Sequence, residues 1–167
     1  SLRALHFCNR PSQADQLHVD LWWRGEYVAR DAGSYRYTAP APWDNSLALT
    51  QSHNTIQVDG QEQMRRAGRF LWLDWAQARV LDAIPDRMVE AEHDGYRRLG
   101  VIHRRRLDRL EENTWQVTDR LLPTGKSAGA HTAVLHWLLP DWNWVLDARG
   151  LTLQGPPGSL RVDVTLQ

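Results

Sequence analysis

Apolar and polar residues alternate along most of this chain, the repeat expected of half-buried β-strands. Across residues 17–23, Leu17, Val19, Leu21 and Trp23 fall on one face and His18, Asp20 and Trp22 on the other. Arg24 and Gly25 then predict a tight turn into a second strand at 26–30. Thr55, Ile56, Gln57 and Val58 alternate as well and stop at Asp59-Gly60, a strong turn dipeptide. Residues 69–81 carry Phe70, Trp72, Leu73, Trp75, Val80 and Leu81, whose doubled apolar pairs predict a bulge or burial on both faces. Further strands are predicted at 88–92, 99–107, 114–122, 131–139, 142–146, 151–153 and 160–166.

Turn residues punctuate these runs: Asp94-Gly95, Glu111-Glu112-Asn113, Thr124-Gly125-Lys126-Ser127, Arg149-Gly150 and Gly155-Pro156-Pro157-Gly158. One stretch has a competing reading. Residues 104–112 place Leu107 and Leu110 at helical spacing among good helix formers, yet Val101, His103, Arg105 and Leu107 also alternate. The turn at Glu111-Glu112-Asn113 favours the strand. Many short strands with regular turns predict an all-β fold, an antiparallel β-sandwich of two layered sheets with little or no helix. The loop at 38–52 is long for a compact β domain and is therefore a candidate functional loop.

At 167 residues the chain is sized for a single domain over 1–167. No apolar run approaches the ~20 residues of a membrane-spanning helix, so no membrane partner is expected. Twenty basic and twenty acidic residues cancel, giving no overall field that would steer nucleic acid. The only lysine is Lys126, and arginine forks suit carboxylate and sulfate groups. A single cysteine, Cys8, leaves neither an internal disulfide nor a cysteine-based zinc site. The nine tryptophans stand out, because tryptophan serves cores and interfaces and also stacks on sugar rings.

The densest polar constellation lies between Ser12 and Asp59 and includes Gln13, Asp15, His18, Asp20, Asp31, Tyr35, Tyr37, Asn45, His53 and Asn54. In structural terms alone, Asp31 caps a turn, Gly33 supplies a positive φ and the tyrosines pack. The order of the pieces suggests more. Asp15-Gln16-Leu17, then Asp31-Ala32-Gly33-Ser34-Tyr35-Arg36-Tyr37, then Ser52-His53-Asn54-Thr55-Ile56-Gln57-Val58-Asp59-Gly60 resembles the C-terminal region of heparinase II/III-like polysaccharide lyases. Downstream, His93-Asp94-Gly95-Tyr96, His103-Arg104-Arg105, Trp115, Asp119 and Leu135-His136-Trp137 extend the resemblance, which runs over residues 11–146.

The resemblance implies a two-part enzyme. An N-terminal α/α toroid of the same full-length protein supplies several catalytic residues, and the C-terminal β-sandwich lends one wall of the cleft. The substrate is an acidic, uronic-acid polysaccharide and the reaction is β-elimination; alginate, heparan-type glycosaminoglycan and bacterial exopolysaccharide all fit. The chemistry neutralises the carboxylate, removes the neighbouring proton and protonates the leaving oxygen, tasks suited to tyrosine, histidine and anion-stabilising donors. The family suggests a bacterial protein, periplasmic or cytoplasmic. Without the toroid, the chain is expected to be catalytically silent.

By the resemblance, Tyr35, Tyr37 and His53 are the candidate catalytic residues, and Asn54, Trp43 and Arg36 the candidate substrate-binding ones. Asp31 and His53 match two zinc ligands of zinc-containing members, and Gln13 stands where their third ligand is a histidine. A further upstream histidine, catalytic in some members, is Pro11 here. His18 is the alternative third ligand, although strict alternation would place it away from Leu17. His93 is expected to be structural, and the His103 to Arg106 run either grips anions or forms a solvated strand face. Trp137 is expected in the core, with Trp142 and Trp144 left open between core and sugar platform. A carbohydrate-binding or structural module without chemistry is the alternative reading, and a metal-binding β domain a third.

Overall fold

The computed structural model describes residues 1–36, 38–125 and 129–166. Tyr37 and the predicted turn residues Lys126 and Ser127 lie outside them. Among the described residues there is no α-helix; three short 3-10 turns and thirteen strands make up the ordered structure. The strands are β1 (Leu21–Trp23), β2 (Glu26–Ala29), β3 (Ile56–Val58), β4 (Arg65–Gly68), β5 (Leu71–Leu73), β6 (Ala78–Ile84) and β7 (Met88–His93). They continue as β8 (Val101–Glu111), β9 (Thr114–Pro123), β10 (Ala133–Leu135), β11 (Asn143–Leu146), β12 (Gly150–Gly155) and β13 (Gly158–Asp163). Hydrogen bonding groups them into five antiparallel sheets: β1-β2, β3-β10, β4-β5, β6-β7-β8-β9 and β11-β12-β13. The chain is therefore all-β and antiparallel, as the alternation predicts.

The β1-β2 hairpin shows how residue type sets the turn. Arg24 and Gly25 both take left-handed backbone, with φ of 50° and 84°. Positive φ at both central positions matches the twist of the flanking strands, and glycine adopts it without steric cost. Between Glu111 and Thr114 a second tight turn joins β8 to β9, so residues 104–111 form a strand rather than a helix. The alternation of β8 explains why: Val101, His103 and Arg105 are buried while the residues between them are half-buried.

Three expectations change. The run at 17–23 is not one strand. Leu17 adopts φ 59°, which breaks the extended backbone, and the β1 ladder begins only at Leu21. The strand β4 was not anticipated, because Arg65 to Gly68 offers no apolar alternation. Of 131–139, only Ala133–Leu135 joins a ladder, against β3.

The core is small and divided. One cluster packs Ala14, Ala48, Met64, Trp72 and Ala76, with Phe7 and Leu49 against it. Another packs Ile56, Val58, Tyr96 and Val101, with Leu99 and Leu121 against it. Polar side chains join what apolar packing does not. The Gln16 side-chain amide donates to the carbonyls of Leu5 and Ala76 at 2.7 and 2.8 Å. Gln63 Oε1 accepts from Gln16 N at 2.7 Å, and its amide returns a bond to the Gln16 carbonyl at 3.0 Å. Through these bonds the two glutamines hold residues 14–18 against the first core cluster.

Candidate functional site

His18, Asp31 and His53 converge from three separate segments. One ligand-capable atom from each lies within 4.8 Å of the others. The turn at Leu17 places His18 here: it swings the chain inward, so His18 is buried beside His53, ring centroids 5.3 Å apart and edge to face. Asp31 follows β2 and forms a tight turn in which Gly33 N donates to its Oδ1 at 2.6 Å. His53 follows the second 3-10 turn (Thr50–Ser52), fully buried, with Nδ1 3.9 Å from Asp31 Oδ2.

The three groups differ in how far they are already committed. Asn54 N donates to His18 Nδ1 at 3.0 Å, which puts the His18 proton on Nε2, facing Asp20 Oδ1 at 3.3 Å. Asp31 Oδ2 accepts from Arg3 at 3.0 Å. His53 is the exception, since neither ring nitrogen has a hydrogen-bond partner although both are buried. Buried polar atoms almost always find a partner, so an orphaned imidazole marks a place where a ligand or water belongs.

Electrostatics follow from the same packing. Burial pushes the His53 imidazole down to about 4, so it is neutral near pH 7. His18 is lowered too, by burial and then by the Arg3 charge. Burial works to raise the Asp31 carboxyl, but the Gly33 N–H and the Arg3 guanidinium outweigh it and hold the group ionised. Asp15, more deeply buried, is raised by that burial despite its contact with Arg3. Tyr27 completes the cluster. Its hydroxyl donates to Asp20 and accepts from Asp31 N at 2.7 Å, and burial with the Asp20 bond raises it to about 12.

Arg105 anchors this cluster from beneath. It is fully buried on β8, and its NH1 donates to the Leu17 carbonyl at 2.8 Å and the Asn54 carbonyl at 2.5 Å. The other side of its fork meets Asp119 of β9 through Nε at 2.7 Å and NH2 at 2.8 Å. A relay continues along the sheet: Gly95 N to His93 Nδ1 at 3.1 Å, His93 Nε2 to His103 Nδ1 at 3.2 Å, His103 Nε2 to Asp119 at 2.6 Å. His93 is buried, with both ring nitrogens hydrogen-bonded. His103 and Arg105 are not on a solvated face; alternation turns them inward and leaves Arg104 and Arg106 outside.

The remaining candidates separate into two groups. Tyr35, Arg36 and Trp43 do come together, on the surface. Tyr35 is 60% and Trp43 57% exposed, their rings 5.8 Å apart, with the Arg36 guanidinium 5.1 Å over the Tyr35 ring. Asn54, expected to bind substrate, is instead buried; its amide donates to the carbonyls of Val19 and Arg30 and accepts from Leu138 N. Gln13, expected as a metal ligand, donates from its side-chain amide to the Gly33 carbonyl at 3.3 Å. Tyr37 lies outside the described residues. Trp137 is half-buried under the Arg105 guanidinium, while Trp144 is exposed.

Residues 6–164 match the family described as heparinase II/III-like, C-terminal. The chain belongs to that family. A solved heparinase III gene product with methylated lysines superimposes on this heparinase II/III-like domain with a TM-score of 0.70, over 92% of the chain. At 18% identity that likeness is one of fold, and the domain spans 23% of the length of the solved protein. No curated protein sequence matches the chain.

Sequence reasoning missed Arg3 and Tyr27, which tie together three aspartates. Arg3 meets Asp15, Asp20 and Asp31. The only trace of this was the surplus of aspartates at 15, 20 and 31, which needs a cation nearby.

Proposed function

We propose that this domain forms one wall of the cleft of a uronate-polysaccharide lyase, working by β-elimination with a helical toroid domain and silent without it. The observation that carries the reading is the orphaned His53, buried beside an ionised Asp31 in a heparinase II/III-like domain. A neutral imidazole offers both a lone pair and an N–H. It therefore suits a group that holds a cation, or a water that in turn meets a uronate carboxylate. Full burial keeps His53 itself from touching a sugar directly, so its effect on the reaction passes through what it holds. Tyr35, Arg36 and Trp43 are accessible and combine a phenol, an anion fork and a stacking surface, the set needed beside an acidic sugar.

The buried group can hold a metal. Two imidazoles and a carboxylate are a zinc donor set, and the free nitrogens of His53 fit it directly. The other two donors join only by giving up contacts: His18 the Asn54 N–H at Nδ1, which then either coordinates or takes over the Nε2 proton, and Asp31 the bond from Arg3. Zinc there would supply positive charge for an anionic group. His18, rather than Gln13, would be the third ligand.

Incubating acidic polysaccharides with the complete gene product and with residues 1–167 alone tests the reading, following unsaturated uronides by ultraviolet absorbance. The complete protein should release them and the chain alone should not. Release by neither would remove the lyase reading and leave a carbohydrate-binding module.

A further inference from the structure

We infer that an open groove beside the β1-β2 hairpin is a second binding site, one that takes an acidic oligosaccharide. The inference rests on the polysaccharide reading but concerns different residues. The groove measures about 810 Å³, and its lining includes Trp22, Trp23, Arg24, Arg87, Arg109 and Trp115. None of these belongs to the His53 cluster or to the Tyr35 patch.

Trp22 is the key surface of the groove. It is 63% exposed, an unusual position for the largest apolar side chain, and it lies parallel to Tyr27 with centroids 4.7 Å and planes 5° apart. The two residues are cross-strand partners in the hairpin, which fixes the stack. Tyr27 is fixed in turn by its hydroxyl, held between Asp20 and the Asp31 N–H. An indole immobilised on one face and open to solvent is a pre-organised platform for the apolar face of a sugar ring.

The charges around the platform select an anion. Arg24 lies 5.1 Å over the Trp23 ring and donates to the Pro157 carbonyl, and Arg109 donates to the Glu112 carbonyl. Among the described residues, neither of them nor Arg87 is ion-paired with a carboxylate, so each of the three keeps N–H groups that can grip one. Of the lining carboxylates, Asp20 is turned inward to Tyr27 and His18, which leaves Asp86 and Glu112 at the turns. Stacking surface plus unpaired arginine matches a uronate or sulfated sugar better than a neutral one or an apolar peptide.

Calorimetric titration of the chain with an alginate tetrasaccharide, a heparan sulfate tetrasaccharide and neutral cellotetraose tests this. At least one acidic ligand should bind, and cellotetraose should not. Trp22→Ala should weaken the acidic ligand by at least about tenfold, and a combined Arg87→Ala and Arg109→Ala variant should also weaken it. Trp144→Ala, which removes another exposed tryptophan far along the sequence, should leave binding unchanged. Circular dichroism of each variant establishes that the fold persists. The inference falls if no acidic ligand binds, if cellotetraose binds equally, or if Trp22→Ala has no effect. In that last case the lyase reading survives; conversely, Trp22-dependent binding in a protein that releases no unsaturated uronide would retain the groove and remove the lyase reading.

Discussion

Arg105 and Asp119 stand directly opposite one another on β8 and β9, and their two-bond ion pair is closed to solvent on the arginine side. The remaining guanidinium N–H groups reach the Leu17 and Asn54 carbonyls, the residues next to His18 and His53. One buried cation thus joins the four-stranded sheet to the candidate site.

Replacing Arg105 with Met keeps much of its volume but strands Asp119 and two buried carbonyls. Breaking one side of a buried pair costs about 3–5 kcal/mol, so Arg105→Met should lose about that much in urea denaturation. Arg104→Met, whose partner Glu92 also has Arg79, should lose less than about 1 kcal/mol.

Acid should destabilise the fold in two stages. Burial lowers both His93 and His103, so in the folded chain they stay neutral at a pH where the unfolded chain protonates them. The unfolded state then binds more protons, and stability falls as pH drops below about 6.5, by about 1.4 kcal/mol per pH unit per histidine. Asp119 adds a second loss at lower pH. Burial alone would raise it, but Arg105 and His103 hold it well below the usual carboxylate range, so its stabilisation is present at neutral pH and disappears as the folded carboxylate protonates. Denaturation curves between about pH 8 and about pH 5 should show the first stage. His93→Asn should flatten it.

These contacts show what the sequence reveals and what it hides. Strand periodicity and turn dipeptides located most of the ladders, because alternation and positive-φ turns are local properties. Asp31 and His53 were visible through the ordered motifs around them. His18 was assigned to the wrong place because alternation assumes an unbroken strand, and a left-handed Leu17 is not visible in residue type. Arg105 read as solvated because charge suggests solvent; only its cross-strand partner Asp119, fourteen positions away in sequence, explains its burial.

If the His18, Asp31 and His53 group takes zinc, Arg3 should oppose it. Its guanidinium occupies Asp31 Oδ2 and carries a positive charge where a metal's second charge would be felt. Arg3→Met should therefore raise zinc affinity by at least about tenfold, or 1.4 kcal/mol. Competition against a zinc-responsive dye measures it, and unchanged or weaker binding would mean that Arg3 and the metal do not compete.

We propose that His53 serves turnover in a polysaccharide lyase. The most direct measurement is steady-state release of unsaturated uronides by the complete gene product and its His53→Ala variant, alongside substrate affinity from equilibrium binding. In the variant kcat should fall by at least about tenfold while affinity changes only a few-fold. A variant that binds substrate poorly but turns it over at the original kcat would contradict it and assign the His53 cluster to binding alone.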